Sequence, residues 1–409
     1  MKSKQSPYKI PPGNFKESVQ VPTSKSVSNR LLILAAITPG EVTINDLGDS
    51  TDVNTLLRLL EELGLVISRD KNQVVIKNSF PDCEVVTDQP IRLETGDGGT
   101  TNRFLSQLLA LGKNKYQLIS TEKFKERPNQ IAVDLIKSCD GNARLGEESE
   151  DFWIELQGPI KEGGEVEVDC RFTTQYLTAW LILQGRLDIK ILSKNLHASS
   201  DYVEMTKSLV KQLKDGEKEF TVPIDFSSAS YPVVFASCLG SVTIKGCFGV
   251  DPYQPDGAVI KYVEQMGAKV SWEVEGLHIE SRKLQPLDVS CSAHPDLVPS
   301  LVFLALFADG ETKLRDLGVL EFKESNRVAE ICKILDKIEA NYDYDSLSKQ
   351  LTIYGPFKGS KKFEFNLPAD HRMIMLASMI CRAFKGGTVD NAYHVAKSYQ
   401  GFFQDLLNK

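Results

Sequence analysis

Eight cationic side chains stand where they can hold a multiply charged anion. Lys25 and Arg30 flank one polar opening, Arg103 lies in a second, Lys323 and Arg327 sit in the run FKESNR, and Arg372 follows His371. Arg127 in KERPNQ and Lys397 in HVAKSYQGFF stand beside proline or aromatic turns. A helix start presents unpaired N–H groups that attract anions, and an adjacent Arg or Lys makes that attraction a phosphate or carboxylate site. Singly, each base reads as a solvated surface charge; together they describe a site for a small, highly anionic substrate.

The familiar alternatives are missing. GDGGTT at Gly96 to Thr101 lacks the third glycine of a dinucleotide fingerprint, and no GxxxxGK[ST] occurs. There is no HExxH and no CxxC pair, and the five histidines are far apart, so neither a metal nor another cofactor is expected. A net charge of −7 argues against general nucleic-acid binding. The longest apolar run, Leu297 to Ala308, is too short for a bilayer and contains Pro299 and Ser300. The polar stretch Met1 to Ser18 does not read as a signal peptide, and the eight scattered cysteines suit a reducing compartment. A cytoplasmic monomer with small-molecule partners, no nucleic acid and no membrane, is expected.

Those residues need elements to position them. A short Ser, Thr or Asp signal opens an almost wholly apolar helix six times, at Ser26, Gly99, Thr173, Ser227, His294 and Asp370. Each opening is expected to cap its helix with a side chain. Helices apolar all round belong in a core, and six of them imply two cores in a chain of 409 residues. Between them a second pattern recurs: a strand at Gly40, an amphipathic helix from Asp52 to Leu63, and a closing strand from Val74 to Asn78. It returns in GSVTIKG, AVIKYVEQMGAKVSW and GLHIES, and again in GETKLRDL, NRVAEICKILDKI and KQLTIYG. Such self-similarity is one repeated α/β packing unit. Three units per lobe follow, with the chain crossing near Val21–Pro22 and near Pro223–Asp225. The expected division is residues 1–22 with 224–409 in one lobe and 23–223 in the other.

The motifs SKSVSNR, GDGGTTNR, KERP, TTQYL, SSASY, HPDLVPS, KESNR and DHRM together resemble the ordered signature of the 5-enolpyruvylshikimate-3-phosphate synthase family, from about Lys25 to Lys397. That resemblance implies an α/β fold of two lobes, each made of three βαβαββ units around buried helices, with the active site in the cleft between them. It implies transfer of the enolpyruvyl group of phosphoenolpyruvate to the 5-hydroxyl of shikimate 3-phosphate through a tetrahedral intermediate, in chorismate and aromatic amino acid biosynthesis, and inhibition by glyphosate. By the same resemblance Lys25, Ser26, Arg30, Thr173, Thr174, Gln175, Ser199, Asp296 and Lys323 hold shikimate 3-phosphate. Lys25, Gly99, Arg127, Gln175, Arg327, Arg372 and Lys397 hold phosphoenolpyruvate, with Lys323 near both. Asp296 and Lys25 are the candidates at the acceptor hydroxyl, and Glu324 at the methylene carbon. Gly99 matches the glycine beside which glyphosate binds.

Some positions depart from the family pattern. GDGGT stands for the usual GNAGT, TTQ for SSQ, Asn326 for the commoner Asp, and Phe104 where Pro is frequent. Asp97 thereby adds a negative charge, and LHASSDYVEMT matches poorly around Ser199. The sister enzymes acting on UDP-N-acetylglucosamine begin with Lys-Asn and carry a loop with a reactive Cys or Asp. Here the motif is KSVSNR, with no Cys between Cys83 and Cys139. A non-catalytic member would have lost Lys25, Asp296 or Glu324, and all are present. RNA-end cyclisation on a related repeat fold would call for a basic surface.

Overall fold

The computed structural model describes residues 7–148 and 151–409. Two compact units divide the chain: Thr23–Pro223, and Ile224–Lys409 together with the segment ending at Pro22. Each crossing is tied within its own unit. Ser24 N–H donates to the Pro223 carbonyl at 2.8 Å, and Asp225 N–H to the Pro22 carbonyl at 2.9 Å.

The repeat is plainest at the centre of each unit. In the Thr23–Pro223 unit, strand Ile91–Glu94 leads through helix Gly99–Leu109 to the parallel strand Lys115–Thr121. Helix Gln130–Ser138 and the hairpin Asn142–Glu148 with Asp151–Gln157 complete the sheet, the last strand pairing antiparallel with Lys115–Thr121. The other unit repeats this order. Strand Asp288–Ser290, helix Val298–Ala305, strand Gly310–Arg315 and helix Arg327–Ile338 precede the hairpin Tyr342–Asp345 with Gln350–Gly355. A second four-stranded sheet in each unit takes its first strand from afar. Glu219–Thr221 lies parallel to Val42–Asn45, and Ser18–Val19 parallel to Ser241–Lys245.

The third repeat is shorter in both units. Strands Glu165–Asp169 and Lys190–Lys194 alternate with helices Gln175–Leu183 and Ser200–Lys214, and no closing hairpin follows among the described residues. In the other unit Phe363–Phe365 and Gly387–Val389 flank helix His371–Ala383, and Tyr8–Ile10 adds an antiparallel edge.

The helices opened by polar signals fill the cores. Helix Lys25–Ile37 is buried from Val27 to Ile37, helix Phe226–Cys238 from Phe226 to Ser237, and helix His371–Ala383 from His371 to Arg382. With apolar residues on every side, burial all round is the stable outcome. Two of the six, Gln175–Leu183 and Val298–Ala305, are shorter than their apolar runs suggest. Side-chain capping is also less general than expected. Ser24, Asp225 and Asp370 accept N–H groups of their helices, whereas Gly98 and Thr174 make no cap bond and Val298–Ala305 starts from the 3₁₀ turn Pro295–Leu297. Gly98 has no side chain to offer, and a Cβ there would meet Thr101 Oγ1 at 2.9 Å and Asp52 Oδ1 at 3.2 Å. Among the described residues no helix is long and apolar enough to cross a membrane.

Leu304 is wholly buried and Leu347 is 94% exposed, both in the Ile224–Lys409 segment. Leu304→Ala should cost about 2–5 kcal/mol in denaturant unfolding, and Leu347→Ala no more than about 0.5 kcal/mol. Similar losses from the two would contradict the placement of this core.

Candidate active site

In the Ile224–Lys409 segment one guanidinium gathers three carboxylates. Arg327 opens helix Arg327–Ile338 and is 1% exposed in its side chain. Its Nη1 donates to Asp296 Oδ1 at 2.8 Å, Nη2 to Glu324 Oε2 at 2.6 Å, and Nε to Asp370 Oδ2 at 2.9 Å. Three elements meet here: the 3₁₀ turn Pro295–Leu297 brings Asp296, the loop before the Arg327 helix brings Glu324, and the start of helix His371–Ala383 brings Asp370. Asn326 accepts from Ala329 N–H at 3.1 Å, so the amide in place of the commoner Asp keeps the helix cap.

Further cations close on Asp296. Lys323 Nζ is 3.3 Å from Asp296 Oδ1, and Arg372 Nη2 is 3.4 Å from Oδ2. Arg372 Nη1 also donates to the Asp296 carbonyl at 3.2 Å. Burial alone would raise the Asp296 carboxyl, but Arg372, Lys323 and Arg327 outweigh it and hold the group well below the usual carboxylate range. Burial likewise works against the charge on Arg327, and Asp370, Glu324 and Asp296 more than restore it. Asp296 is thus an ionised acceptor with two oxygens and a fifth of its side chain exposed.

A second cluster stands in the Thr23–Pro223 unit, at the starts of three of its buried helices. Lys25 Nζ is paired with Asp52 Oδ2 at 3.0 Å. Asn29 Nδ2 donates to Thr100 Oγ1 at 2.8 Å, and Arg103 Nη1 to Gln175 Oε1 at 2.6 Å. The cations here rest on rings: Arg103 lies 5.7 Å from the Phe124 centroid and 5.6 Å from Tyr176, and Arg127 lies 5.6 Å from Phe124. A Cβ on Gly99 would come within 2.7 Å of Arg127 Nη1 and 3.3 Å of Gln175 Oε1. Glycine is what lets these two side chains approach the helix start.

Arg30 has a framework geometry. It is 3% exposed, its Nε donates to Thr206 Oγ1 at 2.9 Å and its Nη1 to the Ser26 carbonyl at 2.8 Å. Its guanidinium carbon is 5.7 Å from both the Phe104 and Tyr202 centroids. Burial pulls its pKa down to about 10, against the opposing Tyr202 interaction. Phe104, unusual for the motif, is therefore a shelf for this guanidinium.

Of the expected residues, Lys25, Ser26, Gly99, Arg127, Thr173, Thr174 and Gln175 fall at or near the helix starts of the second cluster. Asp296, Lys323, Glu324, Arg327 and Arg372 form the first. Ser199 is a buried left-handed residue before helix Ser200–Lys214, without a side-chain cap bond to that helix. Lys397 is buried at the end of the 3₁₀ segment Ala392–Lys397. Asp97 is half-buried in the turn before Gly99. Sequence reasoning missed Asp52 and Asp370 as members of the clusters, and also Ser227 and Asp256, which join the first through the bond from Arg372 to the Ser227 hydroxyl at 3.1 Å and from that hydroxyl to Asp256. Asp370 carried a signal as a helix opener, whereas Asp256 had none. No group of three or more His, Cys, Asp or Glu side chains among the described residues is arranged to hold a metal ion.

Comparison with known proteins adds family information. A family model described as EPSP synthase (3-phosphoshikimate 1-carboxyvinyltransferase) matches residues 10–406. The chloroplastic 3-phosphoshikimate 1-carboxyvinyltransferase of Arabidopsis thaliana is 31% identical, over 95% of this chain and 81% of its own. The enzyme of the same name from Pseudoalteromonas translucida is 29% identical over 96% of both. Among solved structures, an EPSP synthase from Acinetobacter baumannii superposes with a TM-score of 0.73 at 22% identity, covering 98% of this chain and 97% of that one. The enolpyruvyl transferase NikO of Streptomyces tendae gives 0.71 at 14% identity, over 98% and 96%. At these identities the two structures speak for the fold.

Removing Arg327 strands buried carboxylates. Arg327→Gln should destabilise the protein by about 3–5 kcal/mol at pH 7. The stability that Arg327 lends through a depressed carboxyl such as Asp296 is complete above the unfolded value of about 4 and is lost as pH falls through the folded value. In the variant Asp296 loses one of its three cations and takes up a proton more readily, so the deficit should shrink between pH 7 and pH 4. Denaturant unfolding at both values checks this, and a deficit independent of pH would count against it.

Proposed function

The chain belongs to the EPSP synthase family, and from that membership we propose that it joins phosphoenolpyruvate to the 5-hydroxyl of shikimate 3-phosphate, releasing phosphate. It is a transferase of the shikimate pathway with enolpyruvyl-transfer chemistry, in a class whose members are glyphosate targets. The observation that carries the substrate pairing is Arg327 between two carboxylates, Asp296 at 2.8 Å and Glu324 at 2.6 Å, with Lys323 and Arg372 on the first. Paired carboxylates within a cationic field suit a reaction that moves a proton at each end of a polyanionic addition.

In this reading the acceptor hydroxyl gives its proton to Asp296, assisted by Lys25, as its oxygen bonds to C2 of phosphoenolpyruvate. The double-bond electrons take a proton at the methylene carbon from Glu324, which must enter this step as the carboxylic acid. A ketal results that carries methyl, carboxylate, phosphate and the acceptor ether. Elimination returns the methyl proton to Glu324, restores the double bond and breaks the bond from C2 to the phosphate oxygen, so that inorganic phosphate leaves with the proton held on Asp296. The three cations keep Asp296 ionised and so able to accept from the hydroxyl, and the same cations weaken it as a base.

The anions have their own partners. Arg127, Arg372, Arg327, Lys397, Gln175 and Gly99 are assigned to phosphoenolpyruvate. Ser26, Thr173, Thr174, Ser199 and Lys323 are assigned to shikimate 3-phosphate, with Lys25 serving both. Arg30 is assigned to the acceptor side, where its bond to the Ser26 carbonyl supports the neighbouring hydroxyl. Bidentate Arg forks match carboxylate and phosphate, and hydroxyls suit the remaining oxygens.

Phosphate release should require both compounds, and omission of either should abolish it. Release with phosphoenolpyruvate and UDP-N-acetylglucosamine instead would replace this substrate assignment.

Two variants test the roles. Glu324→Gln keeps the shape of the side chain but removes its titrating proton, so kcat should fall by about 10²–10⁴, with little change in substrate binding. Near-normal turnover would remove Glu324 from the proton step. Gly99→Ala places a methyl against Arg127 Nη1. The KM for phosphoenolpyruvate should rise several-fold and the inhibition constant for glyphosate by a larger factor, since the longer ligand meets the methyl as well. Equal shifts would show that glyphosate does not reach that methyl, and an unchanged KM that Arg127 is not a phosphoenolpyruvate contact.

A further inference from the structure

Behind Arg372 lies a buried carboxylate that the proton steps above do not use. Asp256 sits in the 3₁₀ turn Pro255–Gly257 and is 2% exposed. The Ser227 hydroxyl, in the first turn of helix Phe226–Cys238, donates to Asp256 Oδ2. The same hydroxyl oxygen accepts from Arg372 Nη2 at 3.1 Å. Arg372 in turn reaches the Asp296 carboxylate with Nη2 and the Asp296 carbonyl with Nη1. A continuous line therefore runs from Asp256 through Ser227 and Arg372 to Asp296.

We propose that Asp256 is a positioning residue for enolpyruvyl transfer: through the Ser227 hydroxyl it fixes the Arg372 guanidinium. The proposal rests on the assignment of Arg372 to phosphoenolpyruvate. An ionised Asp256 only accepts, so it must take the Ser227 proton, which leaves the serine lone pairs to Arg372. That sets the rotation of the guanidinium plane, and a fork that binds a carboxylate or phosphate in two places depends on that rotation. A hydroxyl without the carboxylate behind it is free to turn its proton toward Arg372, where donor would face donor.

Protonation of Asp256 undoes the arrangement, because the carboxyl then has a proton of its own to direct at Ser227. The charged groups facing it are Asp296 from the turn Pro295–Leu297, Arg372 from helix His371–Ala383, and Asp225 at the cap of helix Phe226–Cys238. Burial first, and then Asp296, push Asp256 up to about 6, while Arg372 and the Ser227 bond pull against them. The relay is complete above that value and is lost as pH falls through it.

The test compares wild type, Asp256→Asn and Ser227→Ala in the full-length chain. The KM for phosphoenolpyruvate is measured between pH 5 and 8 at saturating shikimate 3-phosphate, with thermal melts to confirm folding. Each variant should raise that KM about three- to tenfold at pH 7.5, with a smaller change in kcat. The ratio of variant to wild-type KM cancels the titration of phosphoenolpyruvate itself, and it should fall toward one below pH 6. A ratio that stays constant across pH, or a Ser227→Ala KM equal to that of wild type, overturns the relay. Should Asp256→Asn fail to fold, Ser227→Ala decides the same question, because it cuts the line without touching the carboxylate. A wild type that releases no phosphate from this substrate pair would overturn the functional reading, and this inference with it.

Discussion

The constraint on which the Ile224–Lys409 site depends is the burial of Arg327. A guanidinium with a side chain 1% exposed has lost its water, and only charged acceptors restore the loss. Asp296, Glu324 and Asp370 do so from three separate elements, so the sheets, turns and helices behind them must hold those positions together. Three carboxylates around one cation would repel one another. Lys323 and Arg372 supply the remaining positive charge at Asp296. The cluster is thus close to neutral only as a whole, and the charges on Asp296 and Arg327 are sustained by their neighbours.

The two clusters solve the same problem with different chemistry. In the Thr23–Pro223 unit Arg30, Arg103 and Arg127 lie against aromatic rings, hydroxyl, amide and carbonyl oxygens accept from Arg30 and Arg103, and Asp52 pairs with Lys25. Rings and neutral oxygens stabilise a cation without cancelling its charge, which leaves it attractive to anions. In the other unit three carboxylates surround one buried guanidinium. The two units therefore carry unlike clusters, ring-backed cations in one and a cation–carboxylate network in the other.

Much of this was legible in the chain. All-round apolar helices had to be core, and the strand, helix and hairpin grammar returned at Gly40, Gly240 and Gly310 because each repeat buries one sheet face. The cationic residues were visible because they stand in polar openings beside apolar runs. What escaped was set by tertiary contact. Asp52 read as an ordinary first-turn acid and proved to be the partner of Lys25. Asp256 follows a proline in a loop, and nothing local distinguishes it from a solvated acid. The shortened third repeats escaped too, since alternating strand and helix patterns continue there and only the hairpin is missing.

Asp370 shows why fold and site cannot be separated here. Its side chain is wholly buried, and its Oδ1 accepts the Arg372 N–H at 3.0 Å as the cap of helix His371–Ala383. Its Oδ2 accepts from Arg327 Nε and from the Ser325 hydroxyl, each at 2.9 Å. One carboxylate thus starts a core helix, orients the guanidinium that bridges Asp296 and Glu324, and anchors the loop that carries Glu324. A cap is worth about 0.5–2 kcal/mol by itself, but this one also removes an uncompensated buried charge, which is worth more. The cap of the core helix and the anchor of Arg327 are therefore one and the same carboxylate, so the contact that starts the helix also sets the geometry of the cluster.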